Sequence, residues 1–257
     1  MTLSIYISLF ILGTIFGSFV NVIIYRVPRD LSIIKPGSYC TACQTPLKWY
    51  HNIPVISYII LKGKCAYCNK SYSIRYPIVE LLTGLAFIFL LKFYNDFWLF
   101  SLIAISIILF IAIIFIDYEH YIIPDKLLVP LLLFAFIYFL IDKQYSIINQ
   151  FLSALTVGAI LYLVRFIANV IYKKEALGLG DVKLSVVLGF LLGWSGALLS
   201  IFLGFCIASV FILILMVSKK VQRRSYIPLG PFMIFGMVAY IFWGTELVDW
   251  YLNTFMK

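Results

Sequence analysis

Charge is what this chain lacks. Of its 257 residues only 12% are charged, 11 of them acidic, and there are two histidines, His51 and His120. Ordinary soluble domains carry about 25% charged residues, so this composition excludes one. No HExxH pair and no Ser-His-Asp arrangement is present, which disfavours zinc-protease and serine-protease mechanisms. No glycine-rich nucleotide fingerprint follows a strand pattern, and no internal repeat or disordered tail stands out. The net charge of +9 comes from basic residues spread over separate loops, so it does not call for nucleic acid as a partner.

What the chain has instead is apolar length. It is 63% hydrophobic, and a membrane-crossing helix needs about 20 apolar residues. Candidate spans lie near residues 3–25, 76–94, 97–116, 124–141, 146–171, 182–194, 196–218 and 228–246. The expected fold is an all-α polytopic membrane protein of about eight transmembrane helices with a small cytosolic four-cysteine zinc-binding loop domain. The uncharged run Leu184 to Ser218 holds too many residues for one span and few for two, so a turn is placed at Gly193-Trp194-Ser195-Gly196. A seven-span arrangement is the alternative. Met1 to Tyr25 has no basic n-region or small-residue cleavage site and reads as a retained helix. The expected domains are 1–25, a first span; 26–75, a cytosolic zinc-binding domain; and 76–257, the polytopic membrane domain.

Lysine and arginine placement gives an orientation. Arg26, Arg29, Lys35, Lys48, Lys62, Lys64, Lys70 and Arg75 lie in one loop. Lys126, Lys173, Lys174, Lys183, Lys219, Lys220, Arg223 and Arg224 fall at turns on the same side. The opposite side has Lys92, Lys143 and Lys257, and Arg165 is left inside a span. This bias puts the N-terminus outside and the long loop in the cytosol, with the surplus positive charge drawn to anionic membrane lipid.

That loop holds Cys40-Thr41-Ala42-Cys43 and Cys65-Ala66-Tyr67-Cys68. Two CxxC pairs are the pattern of a tetrahedral four-thiolate zinc site, and disulfides are disfavoured on a reducing cytosolic side. Four thiolates leave no open coordination position, so the metal is expected to be structural, supplying folding energy that a small polar loop cannot. His51 is an alternative ligand, but a lone histidine in such a loop is more often a hydrogen-bonding residue. Cys206 reads as packing.

Two aspartates occupy helix edges. Asp181 follows Gly178-Leu179-Gly180, where it reads as the N-cap of the next helix with Lys183 to neutralise it. Asp117 ends the uncharged run Phe97 to Ile116, where the helix dipole disfavours a negative charge. Both are expected at the cytosolic membrane edge, and acids so placed are functional candidates. Brought together they would share a proton, one activating water and the other polarising a carbonyl. Asp125, beside Pro124, reads as a structural helix-start acid. Glu80 is expected to pair with a basic residue such as Arg75 or Lys64, and Glu119 and His120 to be solvated. Gly13, Gly17 and Asn21 share one helix face, suited to close packing and an interhelical hydrogen bond.

Taken in order, these motifs resemble one family, the type IV prepilin leader peptidases of the GxGD aspartyl protease class. The resemblance rests on Gly17-Ser18-Phe19-Val20-Asn21-Val22-Ile23-Ile24-Tyr25-Arg26, both CxxC pairs, Asn52-Ile53-Pro54, Gly63-Lys64-Cys65 and Arg75-Tyr76-Pro77-Ile78-Val79-Glu80. It continues through Asp117 ahead of Pro124, Gly178 to Asp181 with Lys183-Leu184, and Pro228-Leu229-Gly230-Pro231-Phe232. The resemblance implies a multi-pass enzyme of the bacterial plasma membrane. Such an enzyme cleaves the basic leader of prepilins and pseudopilins at the cytosolic face, then N-methylates the new terminus with S-adenosylmethionine. It implies catalytic roles for Asp117 and Asp181, and a methyl-transfer role for Gly63 and Lys64. Two other readings stay in view: a GxGD peptidase without methyl transfer, and a non-enzymatic transporter or scaffold.

Overall fold

A computed structural model of the chain describes residues 3–94, 96–141, 146–175, 177–218 and 227–255. Lys143, Lys219, Lys220, Arg223, Arg224 and Lys257, used above for orientation, lie outside them. The described residues form helices α1 (Leu3–Arg26), α2 (Ile56–Ile60), α3 (Arg75–Leu90), α4 (Phe97–His120), α5 (Asp125–Ile141), α6 (Ile147–Tyr172), α7 (Leu179–Val217) and α8 (Gly230–Phe255). Among the described residues β-structure is limited to two isolated bridges. This is an all-helical membrane protein.

Among the described residues four stretches are long and apolar enough to cross a bilayer, namely Leu3–Arg29, Phe97–His120, Ile147–Tyr172 and Leu179–Val217. Helices α3 and α5, with 16 and 17 residues, fall short of the roughly 20 that a perpendicular crossing takes. In α8 the apolar part, Gly230–Gly244, is shorter still, so length and composition carry four spans among the described residues, and not the eight counted from the sequence. In α7, whose 39 residues exceed one crossing, Gly193 has φ 71 and ψ 173, a backbone region open essentially to glycine alone. This break lies at the turn expected from the sequence.

Contacts divide the chain into two compact units, Met1–Ala112 and Ile113–Lys257. In the first, α1 lies against α3 with almost no side-chain spacing. A Cβ added at Gly13 would come within 2.8 Å of Gly84 Cα, and one at Gly17 within 2.6 Å of Glu80 Cα. Asn21 Nδ2 donates across this seam to Tyr76 O at 3.1 Å, the interhelical bond expected from the stripe. Phe87, 2% exposed, stacks with Phe16 and Phe100 beside it.

In the second unit α7 is the central helix, packed by α5, α6 and α8. Phe190 of α7 meets Phe136, Phe139 and Phe151, and Leu184, Leu188 and Met233 are fully buried. Glycines bring backbones together here too: a Cβ at Gly204 would meet Phe232 O at 2.7 Å. Cys206, read as packing, is exposed. On α6 the outward residues Phe151, Leu155, Phe166 and Ile171 are apolar, the inverse of a water-facing helix and suited to lipid.

Candidate functional site

Asp117 and Asp181 both belong to the second unit, and both are buried, at 5% and 8% exposure. Asp117 lies in the last turn of α4, which closes as Tyr121, at φ 58, donates its N–H to Asp117 O at 2.9 Å. The carboxylate thus sits at the unfavourable end of its own helix. It is received by another: the Gly230 N–H, first residue of α8, donates to Asp117 Oδ2 at 3.0 Å. A helix N-terminus presents unpaired N–H groups and a partial positive charge, which offsets the placement that made Asp117 look anomalous.

Asp181 is not an N-cap. Gly178 takes that position, with φ −65 and ψ 144, and Asp181 is the third residue of α7, where a carboxylate reaches back toward the N-cap N–H. The side chain does lie against Gly178, whose hypothetical Cβ would be 2.9 Å from Asp181 Oδ2, and the charge of Asp117 is within reach of it. Ile123 fills the space beside both acids: a Cβ at Gly180 would touch Ile123 Cβ at 2.9 Å, and one at Gly230 its Cδ1 at 3.0 Å. Lys183 does not neutralise Asp181. It reaches Asp125 instead, with Nζ 2.7 Å from both carboxylate oxygens, so the acid that opens α5 ties that helix to α7.

Arg165, the lone charge within α6, holds the segment leading into this site. Its Nη1 donates to Leu177 O at 2.8 Å and its Nη2 to Glu175 Oε1 at 3.2 Å, and its charge also acts on Asp181. Sequence reasoning gave Arg165, Ile123 and the Gly230 N–H no role. The signal for Arg165 was there, since an unexplained arginine inside an apolar helix is itself a functional candidate.

In the first unit the four cysteines come together. Their sulfurs all lie within 4.8 Å of one another, with Cys40 Sγ 3.9 Å from Cys68 Sγ. A tetrahedral ion at about 2.3 Å from each sulfur separates them by about 3.8 Å. The two pairs are built alike. Cys40 N donates to Thr45 O and Gln44 N to Cys40 O; Cys65 N donates to Lys70 O and Asn69 N to Cys65 O. Gln44 and Asn69 both take positive φ, and Ala42 N and Tyr67 N each point at the first sulfur of their pair. This is a local structural repeat that sequence inspection did not reveal. Burial opposes ionisation of Cys65, but the N–H groups of Cys68 and Tyr67 bring its thiol down to about 6 from 9.0, toward the thiolate that binds metals. His51 is outside the cluster, packed edge-on against Tyr50 and Tyr67.

Next to the cysteines, Gly63 has φ 67 and its hypothetical Cβ would meet the Tyr58 hydroxyl at 2.9 Å. Lys64 lines a cavity of about 110 Å³ with Asn21, Asn52 and Glu80. Glu80, 7% exposed, takes the Val55 N–H at 2.7 Å on Oε2, not the basic partner expected of it. The cysteine sulfurs therefore fit a four-thiolate metal site, while Lys64 faces a cavity that mixes polar and apolar side chains.

Comparison with known proteins agrees with these motifs. Residues 11–94 match the family described as Bacterial Peptidase A24 N-terminal domain, and residues 103–213 the Type IV leader peptidase family. A protein of Myxococcus xanthus named "Prepilin leader peptidase/N-methyltransferase" is 36% identical over 223 residues, covering 85% of this chain and 66% of that protein. One of the same name from Neisseria gonorrhoeae is 32% identical, covering 86% of this chain and 84% of the relative. Another, from Aeromonas salmonicida, is 28% identical, covering 98% and 95%. No solved structure matches the chain.

Proposed function

The chain belongs to the prepilin leader peptidase/N-methyltransferase family, and on that premise we propose that Asp117 and Asp181 cut the basic leader from type IV prepilins or pseudopilins. It is an aspartic peptidase with N-methyltransferase activity. The observation that carries the cleavage chemistry is the burial of both acids around Ile123, with the Asp117 charge acting on Asp181 and the Gly230 N–H fixing one oxygen of Asp117. One carboxylate takes a proton from water as that water attacks the scissile carbonyl, and the protonated partner donates to the carbonyl oxygen. Collapse of the tetrahedral intermediate releases the leader and a free amine on the next residue.

The amine is then methylated. S-adenosylmethionine supplies a sulfonium-bound methyl group, and Gly63 and Lys64 belong to the part of the chain that handles it. The cysteines Cys40, Cys43, Cys65 and Cys68 hold one zinc ion that is structural, since four thiolates fill its coordination shell. Residues 26–75 form this cytosolic zinc-binding domain, and 76–257 the membrane peptidase. The protein sits in the plasma membrane of a bacterium with its N-terminus outside and crosses about eight times. Shorter helices such as α3 and α5 and the Gly193 break in α7 support that count, as the lysine and arginine bias supports the orientation. Both active parts face the cytosol, where a basic leader ahead of an apolar segment would lie.

The test is to incubate the purified protein in detergent with a prepilin, with and without S-adenosylmethionine, and weigh the products. Loss of the leader plus one methyl establishes both activities. Loss of the leader alone leaves a peptidase, and an intact precursor overturns the reading. Asp117→Asn and Asp181→Asn should each abolish cleavage in a folded protein, and retained cleavage in either would refute the pair.

A further inference from the structure

The cavity of about 110 Å³ in the first unit has room for several waters, one of which needs about 10–15 Å³. Its walls include two cations, Lys64 and Arg26, of which Arg26 spends both Nη groups on the carbonyls of Ser32 and Gly37, and two acceptors, Asn21 and Glu80, that face the same space. Asn21 is 2% exposed; its Nδ2 is spent on the carbonyls of Gly17 and Tyr76, while its Oδ1 has no partner. An unpaired buried acceptor costs about 1–3 kcal/mol, so its retention points to a donor that arrives from elsewhere. One helical turn from the Tyr76 carbonyl, Glu80 brings a carboxylate into the same cavity, 7% exposed and with no basic partner among the described residues.

Glu80 also holds the turn at Val55, which lies between the lining residues Asn52 and Ser57 in the chain. Val55 has φ 62 and ψ −49, a tight γ-turn that a β-branched residue rarely adopts, closed by Ile56 N on Pro54 O. The Val55 N–H is held by Glu80 Oε2. Strain of this kind persists where the surroundings fix it, and it clusters at functional sites.

A neutral amide oxygen and a carboxylate in one recess suit a primary ammonium, which is all donor and positively charged. We propose that this cavity receives the new α-ammonium of the cleaved substrate between Glu80 and Asn21, with Glu80 as the base for its methylation. The inference rests on the methyl-transfer reading above. In the step, the ammonium gives one proton to the Glu80 carboxylate. The freed nitrogen lone pair forms a bond to the methyl carbon as the carbon–sulfur bond breaks, and its electron pair returns the sulfonium to a neutral thioether. Asn21 Oδ1 accepts from a remaining N–H and aims the lone pair. The amino group of the methyl donor has the same chemistry, so the test separates the two sources.

The whole protein in detergent is titrated with a dye-labelled, leader-free pilin peptide bearing a free amine, and with its N-acetylated twin. S-adenosylhomocysteine is titrated separately by calorimetry. The wild type should bind the free amine at least tenfold more tightly than the acetylated peptide. In Glu80→Gln, which keeps an oxygen for the Val55 N–H, that preference should fall to within twofold and methylation should drop at least tenfold, with S-adenosylhomocysteine affinity within twofold of wild type. Equal binding of the two peptides by the wild type overturns the proposal without any variant. So does normal methylation by Glu80→Gln, or a loss of S-adenosylhomocysteine binding in its place, which would assign the cavity to the donor's ammonium. If the wild type neither methylates the peptide nor binds S-adenosylhomocysteine, the methyl-transfer reading falls and takes this one with it.

Discussion

Replacing Gly230 by alanine would add one carbon at the closest contact of the aspartate site. Its Cβ would stand 2.7 Å from Asp117 Oδ2 and 3.0 Å from Ile123 Cδ1. The carboxylate is the tip of a side chain and can swing aside, so the fold gives way cheaply. What it loses is the 3.0 Å bond from the Gly230 N–H. A hydrogen bond to a charged group contributes about 1.5–3 kcal/mol, and each ~1.4 kcal/mol is a factor of ten. Leader cleavage should therefore fall about ten- to hundredfold, with melting in detergent nearly unchanged. Gly236→Ala is the contrast, because its Cβ would strike the Ser200 carbonyl and the Gly204 backbone, which cannot swing. That variant should force α7 and α8 apart and cost about 1–3 kcal/mol of stability, as overpacked cores do. Quenched time courses weighed by mass spectrometry, beside thermal melts, separate the two. Wild-type cleavage by a folded Gly230→Ala protein would refute the view that this glycine positions Asp117.

Arg165→Ala removes the clamp on Leu177 O ahead of Asp181; since Glu175 is 81% exposed its ion pair adds little, and the loss should be about tenfold in cleavage rate, partly restored by Arg165→Lys. Cleavage by Arg165→Ala at the wild-type rate would show that the clamp is irrelevant to the site. Cys40→Ser should lower bound zinc, measured by elemental mass spectrometry, from one per chain to near none and loosen the loop to protease; undiminished metal would argue against the four-thiolate site. The Lys183–Asp125 pair is 44% and 61% exposed, so Asp125→Asn should change stability by no more than ~1 kcal/mol, and a larger shift in melting would mean that the pair is shielded by something outside the chain.

The parts of this protein legible in its sequence are those that one residue type dictates. The cysteine pairs announced their cluster because thiolate geometry leaves few alternatives, and glycines at Gly13 and Gly17 announced a close helix seam. The Gly193 break was visible because a run as long as Leu184 to Ser218 must turn somewhere. Asp125 was right in place but incomplete in partner, since the sequence cannot say that Lys183 crosses from α7 to reach it. Glu80 was given a basic partner because charges usually pair. The backbone N–H of a strained turn was an acceptable substitute that no pattern encodes. The duplicated cysteine turns were hidden because their likeness lies in backbone hydrogen bonds and in positive φ at Gln44 and Asn69, not in shared side chains.

The aspartates show why a residue that looks wrong locally can be right in the fold. Asp117 opposes the dipole of α4 but meets the first N–H of α8, and Asp181 lies in the first turn of α7. Each helix N-terminus carries about half a positive charge, so α7 and α8 together offset the half negative charge that the end of α4 sets beside Asp117 and leave a surplus of about half a charge. A surplus that small favours one negative charge over two on a buried pair, and the cleavage proposed above needs one carboxylate to activate water and one acid to donate to the carbonyl. Gly230 is the point where this field is exposed to a one-carbon change, because its N–H both supplies part of the positive end of α8 and fixes the Asp117 oxygen that receives it.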